Sequence, residues 1–125
     1  MTLPERLVAD YIAAYNRFDV AGMTAHLSDD VVFENIQDGV VTLRMEGIAA
    51  FRQQATAALA YFSSRTQTVL SLQHSGNTIE VCIQYSAVTA VDFPNGLRKG
   101  EPLVLSGTSF FYFKANRICR IVDSV

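Results

Sequence analysis

The segment TIEVCIQYSAVTAV, residues 78–91, decides the fold, because apolar and polar side chains alternate along it. This period of two predicts a β-strand with one buried face. The apolar face comprises Ile79, Val81, Ile83, Tyr85 and Ala87, and the opposite face comprises Glu80, Cys82, Gln84 and Ser86. A half-buried strand needs a second layer of structure over its apolar face. We therefore expect the odd-numbered residues to look toward helices.

Further strands are predicted on both sides of this segment. Alternation also marks residues 66–74, 103–113 and 117–125. The turns between them are rich in Gly, Asn and Pro, which are residue types that send an antiparallel chain back on itself. Earlier in the chain, Asp38-Gly39 separates residues 31–37 from residues 40–44, and this pair favours a two-residue hairpin with positive φ at both positions.

Three helices are predicted in the remaining sequence. Thr2 and Glu5 have the form of a capping box, which begins an amphipathic helix with apolar residues as far as Phe18. Asp19 caps a second, shorter helix, and apolar residues at helical spacing place the third from residue 46 to residue 62. This order of elements predicts one α+β domain over residues 1–125, in which three helices pack on one face of a strongly curved antiparallel sheet.

The composition excludes several classes of partner. The 125 residues include ten basic and twelve acidic side chains, and no basic stripe is present that would neutralise nucleic-acid phosphates. No apolar stretch approaches the ~20 residues of a membrane-spanning helix, and no signal peptide begins the sequence. We expect a cytoplasmic protein without nucleic-acid or membrane partners. Cys82 and Cys119 are too few for a disulfide framework and are predicted to be buried free thiols.

The strand at residues 103–113 is apolar on both faces. The odd-numbered face carries Leu103, Leu105, Phe111 and Phe113, and the even-numbered face carries Val104, Phe110 and Tyr112. Helices cover only one side of the sheet, so the even-numbered set predicts a second partner surface. The simplest partner is another copy of the chain, which gives a homodimer through the outer sheet face. The alternative is a loop that folds over these side chains.

Asp123 is the carboxylate of greatest interest. Cys119, Ile121, Asp123 and Val125 share one face of the last strand, while Ile118, Arg120, Val122 and Ser124 share the other, and the pattern does not say which set faces inward. An inward Asp123 is surrounded by apolar side chains, which raise the pKa of its carboxyl and make it a candidate general acid or base. An outward Asp123 is solvated.

Several short strings, taken with the order of elements, resemble a known family. The strings are YIAAYNRFD at residues 11–19, LSDDVVFEN at 27–35, GIAAF at 47–51 and RICRIVD at 117–123. They are similar to the SnoaL-like and ketosteroid-isomerase-like branch of the nuclear transport factor 2-like superfamily. The resemblance implies a cone-shaped sheet closed by three helices around a deep, mostly apolar pocket. Members include isomerases, cyclases, dehydratases, epoxide hydrolases and non-catalytic binding modules.

The resemblance also carries over residue by residue. Tyr11 matches the tyrosine of steroid isomerases that donates a hydrogen bond to the developing enolate. The general-base aspartate of those enzymes corresponds to Asn35, an amide that cannot accept a proton at neutral pH. Their second oxyanion donor corresponds most nearly to Ser109. These departures argue against steroid isomerisation by the usual mechanism. Asp123 matches a carboxylate on the last strand that serves in polyketide-cyclase-like and epoxide-hydrolase-like relatives, and this resemblance implies that Asp123 faces inward.

From these matches we predict a cofactor-independent acid–base enzyme of the isomerase, cyclase or hydrolase type. Asp123 exchanges a proton with a small hydrophobic substrate, while Tyr11 and Asn35 hydrogen-bond the oxygen of that substrate. Further residues predicted to contact the ligand are Tyr15, Phe18, Phe51, Tyr61, Tyr85, Ser109 and Phe111. No metal-ligand spacing or phosphate-binding glycine loop occurs, so no metal or cofactor is predicted.

A non-catalytic reading remains open beside the enzyme. The same fold could serve as a ligand-binding or dimeric scaffolding module in which Tyr11, Asn35 and Asp123 form a satisfied polar network. The position of Asp123 separates the two readings. An enzyme needs this carboxylate inside the pocket, near Tyr11 or Asn35 and with a raised pKa, whereas a module does not.

Overall fold

The computed structural model describes residues 1–125 as three α-helices and six strands. The helices are α1 (Leu3–Asn16), α2 (Val20–Thr24) and α3 (Ile48–Ala58), and a 3-10 turn at Leu59–Tyr61 follows α3. The strands are β1 (Leu27–Gln37), β2 (Val40–Glu46), β3 (Phe62–Ser75), β4 (Thr78–Thr89), β5 (Pro102–Lys114) and β6 (Arg117–Ser124). No helix combines the length and hydropathy that crossing a membrane requires.

Local sequence signals account for most of the element boundaries. Thr2 and Glu5 form the capping box of α1, and the Asp19 side chain accepts a hydrogen bond from the Gly22 N–H at the start of α2. Asp38 and Gly39 have φ values of 51° and 79°, so the predicted hairpin is confirmed. The third α-helix is shorter than expected, because the chain tightens into the 3-10 turn after residue 58 and residue 62 already belongs to β3.

The six strands form one open sheet in the order β2-β1-β6-β5-β4-β3. All neighbours are antiparallel except β1 and β6, which run parallel, so the sheet is mixed and the expectation of a wholly antiparallel sheet is corrected. Local turn signals do not specify the direction of the pair formed by β1 and β6, because no turn joins these two strands, which are far apart in the chain. The α+β class and the layer of helices on one face are as predicted.

The sheet is strongly curved. Residues from both edge strands, including Met45 of β2 and Gln67 of β3, line a single cavity. Six flat strands would place these edges about 24 Å apart at the usual ~4.8 Å spacing between neighbours. Sharing one small cavity requires the two edges to bend toward each other over the helices.

The hydrophobic core lies between the concave face of the sheet and the helices. The odd-numbered residues Ile79, Val81 and Ile83 of β4 are buried there, as the alternation predicted. Phe111 of β5 is 1% exposed and packs against Tyr11 of α1. Burial of this apolar face is the main source of stability for the two layers.

A bulge between β5 and β6 decides which residues of the last strand face inward. Ile118 pairs with Phe113, but the next pair along β6 joins Arg120 to Tyr112, so Cys119 is the extra residue. The bulge lets Ile118 and Ile121 both reach the core despite their opposite parity. It also settles the ambiguity at residue 123, whose side chain lines the cavity.

The two cysteines are free, but the expectation that both are buried is corrected. Cys82 is exposed, because it belongs to the even-numbered face of β4 that the helices do not cover. Cys119 is partly buried at the bulge, where its Sγ lies 3.4 Å from the Tyr112 carbonyl oxygen.

Gly107 gives a test of the close approach between β5 and β6. An added Cβ would lie 2.8 Å from the Ser124 carbonyl oxygen and 3.3 Å from Cγ2 of Val125. We expect Gly107→Ala to lower the free energy of unfolding by about 1–3 kcal/mol, because the backbone must move to relieve the overlap. Urea denaturation measures the change. Ser106→Ala, at an exposed neighbouring position, is the control and should be nearly neutral.

Candidate functional site

A cavity of about 410 Å³ lies between the concave face of the sheet and helices α1 and α3. Of the 26 residues that line it, 16 are hydrophobic, and the only charged ones are Arg65 and Asp123. A mostly apolar cavity with a few polar groups is the usual form of a small-molecule site.

Asn35, Asp123 and Ser109 form a row across three neighbouring strands at one end of the cavity. Asn35 of β1 pairs with Asp123 of β6, and Asp123 pairs in turn with Ser109 of β5. The Ser109 hydroxyl donates a hydrogen bond of 2.6 Å to Oδ1 of Asp123. Oδ2 of the same carboxylate has no hydrogen-bond partner within the chain, so it is free to meet a ligand.

The environment of Asp123 shifts the equilibrium between its acid and its carboxylate. Burial among apolar side chains raises the pKa of Asp123 from 3.8 to about 6, while the hydrogen bond from Ser109 opposes part of that rise. No cation lies within 4.0 Å to hold the carboxylate in its charged form. A group with a pKa near neutrality can both take up and release a proton at physiological pH.

Tyr11 projects from α1 into the same end of the cavity. Its ring centroid lies 6.4 Å from that of Phe51 and 5.6 Å from that of Phe111, and the residue is 5% exposed. Burial, followed by the negative charge of Asp123, raises the pKa of the Tyr11 phenol well above its usual value. Tyr11 therefore stays protonated across the physiological range and remains a hydrogen-bond donor.

Asn35 adds an amide to this end of the cavity. Its Nδ2 donates a hydrogen bond of 3.0 Å to Oγ1 of Thr42 on β2, which fixes the orientation of the amide. An amide nitrogen carries two N–H donors, so one remains for a ligand. The structure thus brings together Asp123, Tyr11 and Asn35, the three residues predicted from the sequence to carry the chemistry.

The residues predicted to contact a ligand divide into two groups. Those that line the cavity are Tyr15, Phe51, Tyr61, Tyr85 and Ser109. Phe18 and Phe111 do not line it, which corrects their expected placement. Phe18 follows α1 with a φ of 63°, and this left-handed conformation turns its ring onto Arg65. Phe111 lies beneath Tyr11 in the core.

A second polar end of the cavity was not predicted. Arg65 of β3 is 4% exposed, and its guanidinium lies 3.8 Å above the ring of Tyr15. Nearby, the Tyr15 hydroxyl donates a hydrogen bond of 3.1 Å to the Tyr85 hydroxyl. No sequence signal pointed to a buried Arg65, because an arginine after Ser63-Ser64 is typical of an exposed turn. No group of three or more His, Cys, Asp or Glu side chains is arranged to hold a metal ion.

Comparison with protein families identifies the class of protein to which this fold and cavity belong. Residues 8–121 match the SnoaL-like domain. Because the match covers most of the chain, the protein belongs to the SnoaL-like family. Comparison with curated proteins found no match.

Solved structures share the fold over nearly the full chain at low sequence identity. A proposed polyketide cyclase from Xanthomonas campestris pv. campestris is 23% identical with a TM-score of 0.83, covering 98% of this chain and 90% of that one. An LEH-like epoxide hydrolase of M. tuberculosis is 16% identical with a TM-score of 0.75, covering 95% and 79%. A protein of ketosteroid isomerase-like fold from Catenulispora acidiphila, in complex with trimethylamine, is 12% identical with a TM-score of 0.75, covering 94% and 82%.

The raised pKa of Asp123 predicts a pH-dependent stability. Below pH ~4 the carboxyl is protonated in the folded and the unfolded chain alike. Between pH ~4 and ~6 the unfolded chain releases this proton while the folded chain keeps it, so the free energy of unfolding falls with rising pH. The shift from 3.8 to about 6 corresponds to about 3 kcal/mol.

Comparison with Asp123→Asn isolates this contribution. We expect the variant to gain about 3 kcal/mol in the free energy of unfolding relative to the wild type between pH 4 and pH 7, because an amide does not ionise. Urea denaturation at several pH values measures the difference. Asp30→Asn, which alters an exposed carboxylate, should show no such gain. Parallel pH profiles for wild type and Asp123→Asn would contradict the prediction.

Proposed function

We propose that this protein is a cofactor-independent acid–base enzyme that moves a proton on a small, mainly hydrophobic substrate. The observation that supports the proposal is the position of Asp123 inside an apolar cavity, between Asn35 and Ser109, with a pKa of about 6. Two solved structures with the same fold are described as a proposed polyketide cyclase and an epoxide hydrolase, and these descriptions support an enzymatic role. The reaction proposed for this chain is derived from its own residues, Asp123, Tyr11 and Asn35.

The proposed step begins with a substrate carbonyl held near Tyr11 and Asn35. Oδ2 of Asp123 takes a proton from the carbon beside the carbonyl. The electron pair of that C–H bond forms the C=C bond of the enolate, and the π pair of the carbonyl moves onto its oxygen. The Tyr11 phenol and the free Asn35 N–H donate hydrogen bonds to the enolate oxygen that forms. With a β,γ-unsaturated ketone, return of the proton from Asp123 to the γ carbon gives the conjugated isomer. With a second carbonyl in the substrate, attack of the enolate carbon on that carbonyl closes a ring, and the new alkoxide oxygen takes the proton back from Asp123.

The magnitudes of these effects decide how much each residue is expected to contribute. A positioned general base contributes roughly 10²–10⁴-fold to a rate, and removal of one oxyanion donor costs roughly 10²–10³-fold. Loss of Asp123 should therefore abolish most of the activity. Loss of Tyr11 alone should leave a measurable fraction, because the amide of Asn35 still reaches the oxygen.

A non-catalytic binding module is the second candidate, and hydrogen bonds of the structure favour it in part. Ser109 satisfies one oxygen of Asp123, and Thr42 satisfies one N–H of Asn35. In a module, these bonds would complete a static polar network in a ligand-binding cavity. The second oxygen of Asp123 lacks a partner in the chain, and this free acceptor favours the enzyme.

Deuterium exchange tests proton transfer without knowledge of the natural substrate. We expect the wild type to accelerate exchange of the α-protons of 1-tetralone or cyclohexanone in D₂O, followed by ¹H NMR. The rate should rise with pH through about 6 and then level off, because only the ionised Asp123 accepts a proton. Asp123→Asn should reduce the rate roughly 10²-fold or more, and Tyr11→Phe by less.

The control for this experiment is Asp30→Asn, which removes an exposed carboxylate that does not line the cavity. An unchanged exchange rate in Asp123→Asn at every pH would refute the acid–base role. A carboxyl resonance of Asp123 that titrates near 3.8 in ¹³C NMR would refute it as well. Ligand binding without exchange would favour the module.

We also propose that the protein is a homodimer through the outer face of the sheet. Val104 is 62% exposed on that face, and Phe110 and Tyr112 beside it are only partly buried. Helices cover the opposite face, and no loop of the chain covers Val104. Burying these side chains against a second copy would remove apolar surface from water.

A charged substitution on the outer face tests the dimer. We expect Phe110→Glu to convert the dimer into a monomer in analytical ultracentrifugation, because the interface would bury an unpaired carboxylate. Val69→Glu, at a residue of β3 that is 45% exposed, is the matched control and should leave the mass unchanged. A wild-type protein that sediments as a monomer at millimolar concentration would rule out this interface.

A further inference from the structure

Arg65 is the only buried arginine in the chain, yet it has no carboxylate partner. Arg17, Arg44 and Arg120 have side chains that are 48–58% exposed, and each forms an ion pair with an acidic residue. Arg65 is 4% exposed and forms none. A guanidinium taken out of water loses solvation that a partner normally restores.

The chain supplies hydrogen-bond acceptors for only some of the N–H groups of the Arg65 guanidinium. Its Nε donates a hydrogen bond of 3.0 Å to the Tyr15 carbonyl oxygen, near the end of α1. One terminal nitrogen lies 3.9 Å from the sulfur of Met23, which is a weak acceptor. The rings of Tyr15 and Phe18 lie against the cation. A guanidinium has five N–H donors, so most of them have no oxygen acceptor from the chain.

We propose that Arg65 binds the carboxylate of the ligand, and that the substrate is therefore a small, mainly hydrophobic monocarboxylic acid. This inference deepens the proposed function and rests on it in one respect, namely that the same cavity holds the substrate. Arg65 lines that cavity together with Tyr15, Gln67 and Tyr85.

The charge and shape of the site select a monocarboxylate. The planar fork of a guanidinium matches the two oxygens of a carboxylate, and such paired hydrogen bonds are among the strongest in proteins. Arg65 is the only cation that lines the cavity. Asp123 is the only other charged residue in the lining, so each negative charge that a ligand brings adds to that of its carboxylate. A phosphate dianion would bring two such charges into apolar surroundings beside one cation, so a ligand with a single negative charge fits better.

Other polar groups at this end also lack partners. The Tyr85 hydroxyl accepts a hydrogen bond from Tyr15, which leaves its own proton free to donate. The side-chain oxygen of Gln67 is buried without a hydrogen-bond donor. This oxygen has almost no accessible surface, so it does not itself meet a ligand. The Tyr85 hydroxyl can therefore supply one further donor to a carboxylate bound beside Arg65.

The two ends of the cavity are suitably placed for one elongated ligand. Tyr11 lies beside the row formed by Asn35, Asp123 and Ser109, and Tyr15 lies beside Arg65. Tyr11 and Tyr15 are four positions apart in the sequence, which corresponds to about 6 Å along α1. A carboxylate at Arg65 would hold an apolar body against the side chains between, with the reacting carbon near Asp123. Arg65 would then be a positioning residue for the acid–base step.

Calorimetric binding of matched acids and amides tests this inference. The probes are benzoate, 2-naphthoate and 4-phenylbutanoate, each paired with the corresponding amide, at pH 7.5. We expect at least one acid to bind the wild type, and to bind at least tenfold more tightly than its amide. Arg65→Gln should abolish this preference. Arg52→Gln, which removes an exposed arginine of α3, should retain it.

Arg65 also contacts the end of α1, so Arg65→Gln could lose acid binding through unfolding. A second variant separates that effect from loss of the carboxylate site. Arg65→Lys keeps the charge but not the fork, so acid binding should weaken at least threefold while the ¹⁵N–¹H spectrum stays that of the folded protein. Binding of no acid, equal affinity for acid and amide, or a preference that survives Arg65→Gln would each overturn the inference.

The outcome is separable from that of the proposed function. Asp123→Asn should retain the preference for the acid, since Asp123 lies on β6, three strands from Arg65 on β3. It should also bind the acid more tightly than the wild type at pH 7.5, because it removes the only negatively charged side chain of the cavity lining. Deuterium exchange that depends on Asp123, without a preference for acids that depends on Arg65, would support the acid–base enzyme and refute the carboxylate substrate. A preference for acids that depends on Arg65, without any deuterium exchange, would support a carboxylate-binding protein and refute the enzyme.

Discussion

The site depends on the pairing of β6 with two strands of opposite direction. Because β6 lies between β1 and β5, the central residue Asp123 has Asn35 on one side and Ser109 on the other. Strand neighbours are only about 4.8 Å apart, so this pairing brings three polar side chains from distant parts of the sequence into one row. The curvature of the sheet then turns the row toward α1, whose Tyr11 reaches the same space.

Burial gives this row its chemical character. A carboxylate on a flat, solvated sheet would keep an ordinary pKa, whereas the apolar walls of the cavity raise that of Asp123 to about 6. The hydrogen bond from Ser109 limits the rise, because it stabilises the charged form. The two effects together make the Asp123 carboxyl a weaker acid than an exposed aspartic acid. They also lower the free energy of unfolding at neutral pH, because the folded chain must hold a buried charge.

Much of the fold was predictable from the sequence, because its signals are local. The capping box at Thr2, the turn at Asp38-Gly39 and the alternation along β4 each depend on residues close together in the chain, and each is confirmed. The parallel pairing of β1 with β6 and the bulge at Cys119 depend on residues far apart, which no local period encodes. The inward position of Asp123 came from the family resemblance, since the strand pattern alone left it open. Arg65 was missed because a buried cation and an exposed one look the same in a sequence.

The separation of the cavity into two polar ends has a consequence for how such proteins diversify. The row of Asn35, Asp123 and Ser109 belongs to β1, β6 and β5, whereas Arg65 belongs to β3, an edge strand on the other side of the sheet. Substitutions on that edge can change the polar groups around Arg65 without disturbing the environment of the Asp123 carboxylate. Natural variation or deliberate redesign can thus alter the two ends of the cavity as two nearly independent traits.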